Sequence, residues 1–188
     1  ALAQALHHAR HRRSFGKRLV EHPLMANVLA DLALESEAAT AFALRVARAV
    51  DAAPRDPVEA GFARIATAIG KYWLCKRAPA FVNEAQECLG GAGYVEESML
   101  PRLYRQAPLN SIWEGSGNIQ CLDVLRALAR EPEALAALRA ELAAVADRDA
   151  RYAAALQRWA AAPAPDESQA RLFCERTALL LQAALMLR

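Results

Sequence analysis

Long apolar runs are missing from this 188-residue chain, so no segment reads as a membrane span, and the amino terminus, Ala-Leu-Ala-Gln-Ala-Leu followed by His and Arg, is unlike a signal peptide. No membrane contact is expected. Cysteine is sparse: Cys75, Cys88, Cys121 and Cys174 are dispersed within apolar helical patterns and form no Cys-x-x-Cys pair. That spacing suggests neither a zinc site nor a disulfide framework, leaves no metal site expected, and fits a reducing, cytoplasmic setting. Glycine amounts to only 8 residues and β-branched residues are few, which weighs against sheets. A large excess of one charge is missing as well. With a formal net charge of +2, the whole chain is not an obvious polyanion binder.

What is present is Ala, Leu and Arg in helical rhythm, in a chain long enough to bury a real core. A first helix runs from Leu2 to about Arg13 and ends at Ser14-Phe15-Gly16-Lys17, where Gly16 can turn the chain. The first 18 residues hold Arg10, Arg12, Arg13, Lys17 and Arg18 without an acid, plus three of the four histidines, a candidate anion site that a solvated helix end would explain equally. Pro23 opens a second helix of some thirty residues, roughly 45 Å at about 1.5 Å per residue, with Arg45 and Arg48 expected at its surface. Asp56-Pro57 opens a third helix that reaches Leu89, interrupted by Pro79, where a kink is expected. A short helical turn over 96–100 precedes Arg105, read as structural. Beyond the fourth helix, Pro132 begins a fifth whose apolar stripe extends to Trp159, and Asp166 begins a last one after a linker at 161–165. The chain starts without Met in mid-pattern and stops at Arg188 while the pattern continues, which reads as a piece of a longer protein.

The functional centre is Asn110-Ser111-Ile112-Trp113-Glu114-Gly115-Ser116-Gly117-Asn118-Ile119. Contact with Ile112 and Trp113 would desolvate the Glu114 carboxylate, which suits a group that must pull a proton from carbon. Gly115 and Gly117 leave room for another molecule's atoms, or for backbone angles that residues with a β-carbon avoid. A helix beginning near Ser116 or Asn118 would aim free N–H groups at an electron-rich ligand. Spacing alone favours a plainer reading, a loop with a solvated glutamate.

Three motifs together resemble the C-terminal domain of the acyl-CoA dehydrogenase family. They are the Trp-Glu-Gly-Ser stretch at 113–116, the Arg-x-Ser-Phe-Gly motif at Arg12, Ser14, Phe15 and Gly16, and the Gly90-Gly91-Ala92-Gly93-Tyr94 turn. The resemblance implies an all-α fold, a four-helix up-and-down bundle over 1–130 with a helical extension over 131–188. It implies Glu114 as the base that removes the α-proton of an acyl-CoA thioester, and FAD as the cofactor. For FAD it implies Arg12, Ser14, Phe15, Glu87, Gly90, Gly91, Ile112, Trp113, Ser116, Gly117 and Asn118, with Glu87 standing where the family has glutamine. A homo-oligomer, a dimer of dimers in the full-length protein, is implied as well.

In continuing past the fourth helix, the chain resembles a branch of the family associated with the response to DNA alkylation. This gives an alternative role as a flavoprotein that binds double-stranded DNA and whose dehydrogenase activity is vestigial, with Arg126, Arg130, Arg148, Arg151 and Arg158 as candidate phosphate contacts. From Asp123 onward nine arginines are balanced by nine acids, so composition alone does not predict DNA binding.

Overall fold

The computed structural model describes residues 1–188. Its elements are α1 (Leu2–His11), a hairpin of β1 (Arg13–Ser14) and β2 (Lys17–Arg18), α2 (Pro23–Ala52), α3 (Pro57–Glu87), α4 (Gly91–Tyr94), α5 (Leu100–Gln106), α6 (Gly117–Arg130), α7 (Pro132–Ala143), α8 (Ala150–Ala161) and α9 (Ala170–Met186). The fold is all-α apart from that two-residue ladder. No helix is long and apolar enough to cross a membrane. Two compact units emerge, Ala1–Glu37 with Cys75–Trp113 and Ala38–Leu74 with Glu114–Arg188, and the long helices α2 and α3 contribute one half to each.

The first unit has a small core in which Ala5 and Ala9 of α1 meet Leu29 and Leu32 of α2 and Ala85 and Cys88 near the end of α3. Alanine at the helix contacts lets the backbones approach closely. After Glu87 the chain turns at Gly90 with φ +58, and Gly93 lies so close to the Gln86 carbonyl that a β-carbon there would be 2.4 Å from its oxygen. Only glycine fits at that position. Gln86 also donates from its side-chain amide to Gly93 O at 3.1 Å, closing the turn from the other side.

In the second unit Phe42, Phe62, Ile65, Ile69, Val124, Leu138, Leu142 and Leu181 form one continuous core from α2, α3, α6, α7 and α9. Gly61 brings α3 within 3.1 Å of the Glu133 carbonyl at the start of α7, measured from its would-be β-carbon. Buried Arg45 donates to Glu59 of α3 at 2.7 Å and to Glu141 of α7 at 3.0 Å, with its guanidinium 4.0 Å above the Phe62 ring. Arg64 likewise joins α3 to Asp123 of α6 at 2.7 Å and to Glu131 at 3.1 Å. The four cysteines are free thiols, and a hydrogen bond with the Cys121 thiol, then burial in the core, pushes the Cys174 thiol up.

Several expectations need correcting. The first helix stops at His11 because the next residues form a hairpin, not a simple turn: Arg13 pairs with Arg18 and Ser14 with Lys17 around Phe15-Gly16. Both loop residues have positive φ, +48 and +79, the signature of a tight mirror-image turn whose twist matches the strands. The helix expected over 96–100 begins only at Leu100. The expected fifth helix is two, α7 and α8, because Asp149 ends the intervening turn by accepting from the N–H groups of Arg151 and Tyr152. Arg45 is buried rather than at the surface.

Three measurements test this account. Arg45→Leu leaves the partly buried Glu59 without its cation and the buried Glu141 with Arg188 alone, and should cost about 3 kcal/mol in urea denaturation. Phe15→Gly should raise stability by roughly 0.5–1 kcal/mol, since it relieves a left-handed backbone while losing almost no burial from a side chain that is 95% exposed. The Tyr152 hydroxyl donates to Leu142 O at 2.7 Å; burial, then the charge of Glu141, pushes its pKa from 10.0 up to about 12. A folded value above the unfolded one means that this stabilisation is complete below pH 10 and is lost as pH rises toward 12. Stability measured across that interval should fall less steeply in Tyr152→Phe.

Candidate functional site

The hairpin and the end of α3 line one cavity of ≈ 440 Å³ in the first unit. Ser14, Phe15 and Glu87, distant in sequence, share its wall with Glu84, Cys88 and His22. The His22 ring contacts Ser14 O at 3.1 Å and the Arg13 guanidinium donates to Gly16 O at 3.3 Å, so the hairpin is held from both ends. Arg12 caps α1, its backbone N–H donating to His8 O, and its side chain is exposed. Burial, then the charges of Arg12 and His7, lowers the His8 pKa. Glu87 is exposed and accepts from Asn83 at 2.8 Å. Burial pushes the Cys88 thiol up, with the charge of Glu84 adding to it. A β-carbon at Gly90 or Gly91 would meet nothing within 4 Å, so the backbone of this turn is open to another molecule.

Ile112 and Trp113 follow a 3₁₀ turn over Ala107–Ser111 and hang from the Leu109 carbonyl through their N–H groups, at 2.9 and 3.1 Å. Both side chains face solvent, 62% and 54% exposed. Glu114 is exposed too, so the dry contact expected from its two apolar neighbours is not made within this chain. Its backbone is the unusual part. Glu114 has φ +56 and Gly115 φ +96, and the Gln120 side-chain amide donates to both of their carbonyls, at 3.0 and 3.3 Å. Lys71 reaches the Gly115 carbonyl at 3.5 Å. The Glu114 N–H is taken up by no backbone carbonyl. Ser116 is the N-cap of α6, as expected, but makes no side-chain capping bond; Gly117 is buried while Asn118 and Ser116 are exposed, leaving the first N–H groups of a 14-residue helix uncapped.

Gln120 and His22 escaped the sequence reading, and Lys71, which reads from sequence as a solvated or acid-paired helix charge, reaches a carbonyl. Each resembles an ordinary polar helix or loop residue, and their importance lies in which carbonyl they reach. Of the five arginines considered for phosphate contact, Arg126 pairs with Asp123 at 3.4 Å, Arg151 pairs with Asp149 at 3.2 Å, and Arg148 donates to the carbonyls of Leu187 and Arg188 at 2.7 and 2.9 Å. Arg130 and Arg158 are exposed on the last turns of α6 and α8.

A family model described as the acyl-CoA dehydrogenase C-terminal domain matches residues 1–129. The chain is 53% identical over 131 residues to the putative acyl-CoA dehydrogenase AidB of Escherichia coli strain K12, which covers 70% of this chain and 24% of that protein. Among solved structures, Caenorhabditis elegans ACDH-11 in complex with C11-CoA superposes with a TM-score of 0.89 at 25% identity, over 99% of this chain and 36% of that one. An acyl-CoA dehydrogenase from Geobacillus kaustophilus gives 0.59 at 27% identity over 68% of this chain and 32% of its own. The last three helices therefore have counterparts in ACDH-11, whereas the family model ends at residue 129. This chain spans about a quarter to a third of the length of these relatives. Because the family model covers well over half of the residues and the motif-bearing turns fall inside it, the chain belongs to the acyl-CoA dehydrogenase family, whose C-terminal domain it carries.

Proposed function

We propose that this chain is the C-terminal part of an FAD-dependent dehydrogenase that oxidises acyl-CoA thioesters at the α,β bond, with Glu114 as the base. The observation that carries this reading is conformational: Phe15 and Glu114 are the two non-glycine residues with positive φ, and they fall in two separate motifs of the family. Such backbone costs on the order of 1 kcal/mol or more per residue and persists where its surroundings hold it in place. Glycine at either position would be easier. The side chains are what the strain retains.

The residues present fit a flavin dinucleotide in part. The exposed Phe15 ring offers a stacking face, Arg12 a guanidinium for phosphate, and the open Gly90-Gly91 backbone a close approach. Ser14 lies beside Phe15 in the same cavity. Glu87 can only accept, so it suits a hydroxyl or amine of the cofactor and opposes a phosphate. Ile112 and Trp113 supply apolar cover, and Ser116, Gly117 and Asn118 present the helix N-terminus. When bound, FAD supplies the acceptor for the hydride that leaves the β-carbon. The chain's own part is to take the α-proton onto the Glu114 carboxylate, while the unused N–H of the same residue donates to the thioester oxygen as negative charge develops there.

The exposed apolar side chains of the first unit, among them Leu24, Tyr94 and Trp113, support contact with another subunit or with further domains. The reading puts a domain boundary at 130/131, supported by a family match that ends nearby at residue 129, with 131–188 as an addition that has counterparts in ACDH-11. A duplex-DNA role has less support, since three of its five arginines are already engaged within the chain.

In a polypeptide of the relatives' length, Glu114→Gln should slow flavin reduction by an acyl-CoA about 10²- to 10⁴-fold in anaerobic stopped flow while leaving flavin content unchanged. A rate equal to the unmodified protein's would remove Glu114 from the role. The 188-residue chain alone should bind FAD weakly or not at all, and a stoichiometrically yellow preparation would contradict that.

A further inference from the structure

The second unit contains a groove of ≈ 1000 Å³ formed by α7, α8, α9 and the 162–165 linker, with Leu128 of α6 at its margin. Its α9 wall is a stripe at alternating steps of four and three: Leu172, Arg176, Leu179, Ala183 and Met186. Leu172, Leu179 and Met186 are exposed although large and apolar. Trp159 and Phe173, stacked with centroids 5.9 Å apart, are also in the lining. Four guanidiniums stand on the walls, those of Arg139, Arg151, Arg158 and Arg176, against one carboxylate, Asp149, which is occupied by Arg151 and by two N–H groups at the start of α8. Arg139, Arg158 and Arg176 are exposed and bridge to no acid of the chain.

An apolar floor under a cationic rim selects a molecule with hydrocarbon at one end and an anion at the other. From Arg176 to Met186 the stripe runs about 15 Å at 1.5 Å per residue, the reach of roughly twelve carbons of extended chain with C–C bonds near 1.5 Å. Duplex DNA would meet the arginines but has no apolar surface for the floor. We propose that this groove binds a single-chain anionic amphiphile, a long-chain carboxylate, with its tail along α9 and its head taken by Arg158 and Arg176. The site is independent of the role given to Glu114.

The test titrates the 188-residue chain with sodium salts of the C10 to C16 carboxylates below their micelle concentrations, following tryptophan fluorescence and native mass spectrometry, with Trp159→Phe to assign the optical signal. Expected are one equivalent bound per chain, affinity that rises with chain length, and at least tenfold weaker binding of dodecan-1-ol than of dodecanoate. Arg158→Ala with Arg176→Ala should weaken dodecanoate about tenfold at unchanged helix content by circular dichroism. Leu179→Glu, which places a carboxylate on the floor, should do the same without touching the arginines. Equal affinity for the alcohol, or unchanged affinity in both variants, overturns the proposal. So does displacement of the carboxylate by duplex DNA, which would mark a polyanion surface, or self-association in sedimentation that the carboxylate does not disperse, which would mark a second copy as the occupant.

Discussion

A guanidinium removed from water has to find its partners inside the protein, and Arg45 finds two. Its carboxylates come from α3 and from α7, and its flat face lies on Phe62. Because a bidentate fork tolerates little sliding, these bonds fix the register of α2 against α3 and of both against α7. Glu141 is held further by Arg188 at 2.7 Å. Through this cluster α7, which lies beyond the residues that the family model matches, is locked to α2 and α3, and the shared core of Phe42, Ile65, Leu138 and Leu142 closes around it. A buried ion cluster of this kind contributes little net stability compared with apolar residues of the same volume. What it contributes is a single arrangement, since any shifted register would leave a charge unpaired.

A different constraint acts at the two strained residues. Phe15 and Glu114 occupy left-handed backbone that glycine would adopt freely, and each is followed by a glycine that continues the turn. Neighbours hold both in place. The hairpin is braced by His22 and by the Arg13 side chain, and the Glu114 carbonyl is tied down by Gln120. Stability alone would have replaced these residues, so an exposed phenyl ring and an exposed carboxylate kept there at a cost point to contacts made outside the chain.

The long helices were legible because apolar spacing and capping agreed: Pro23 and Asp56-Pro57 start α2 and α3 where those residues predict, and Asp56 Oδ1 accepts from the Val58 N–H at 2.9 Å. The break between α7 and α8 was hidden by the same signal. Leu138, Leu142, Val145, Tyr152 and Leu156 keep one face apolar straight through the turn, and only Asp149, a good N-cap, marks the new start. The burial of Arg45 could not be read from its own helix, because Glu59 lies in the next helix and Glu141 lies 96 residues away. Of the candidate site, the motif residues were legible and their setting was not. Spacing gives no hint that Phe15 would be left-handed, or that Gln120 would turn back to hold the loop before its own helix.

Proton removal from carbon works best where water is excluded, and the chain by itself leaves Glu114 exposed with Ile112 and Trp113 open beside it in sequence. The fold supplies a positioned carboxylate, a free N–H and an uncapped helix start; it does not supply the enclosure. Apolar side chains left in solvent are costly unless something covers them, and those adjoining Glu114 are the ones a covering surface would have to meet. The relatives' chains are about three times as long as this one. With Glu114 in the proposed role of base, the domain is fully folded and supplies rigidity on its own side, while dryness would have to come from whatever docks against it.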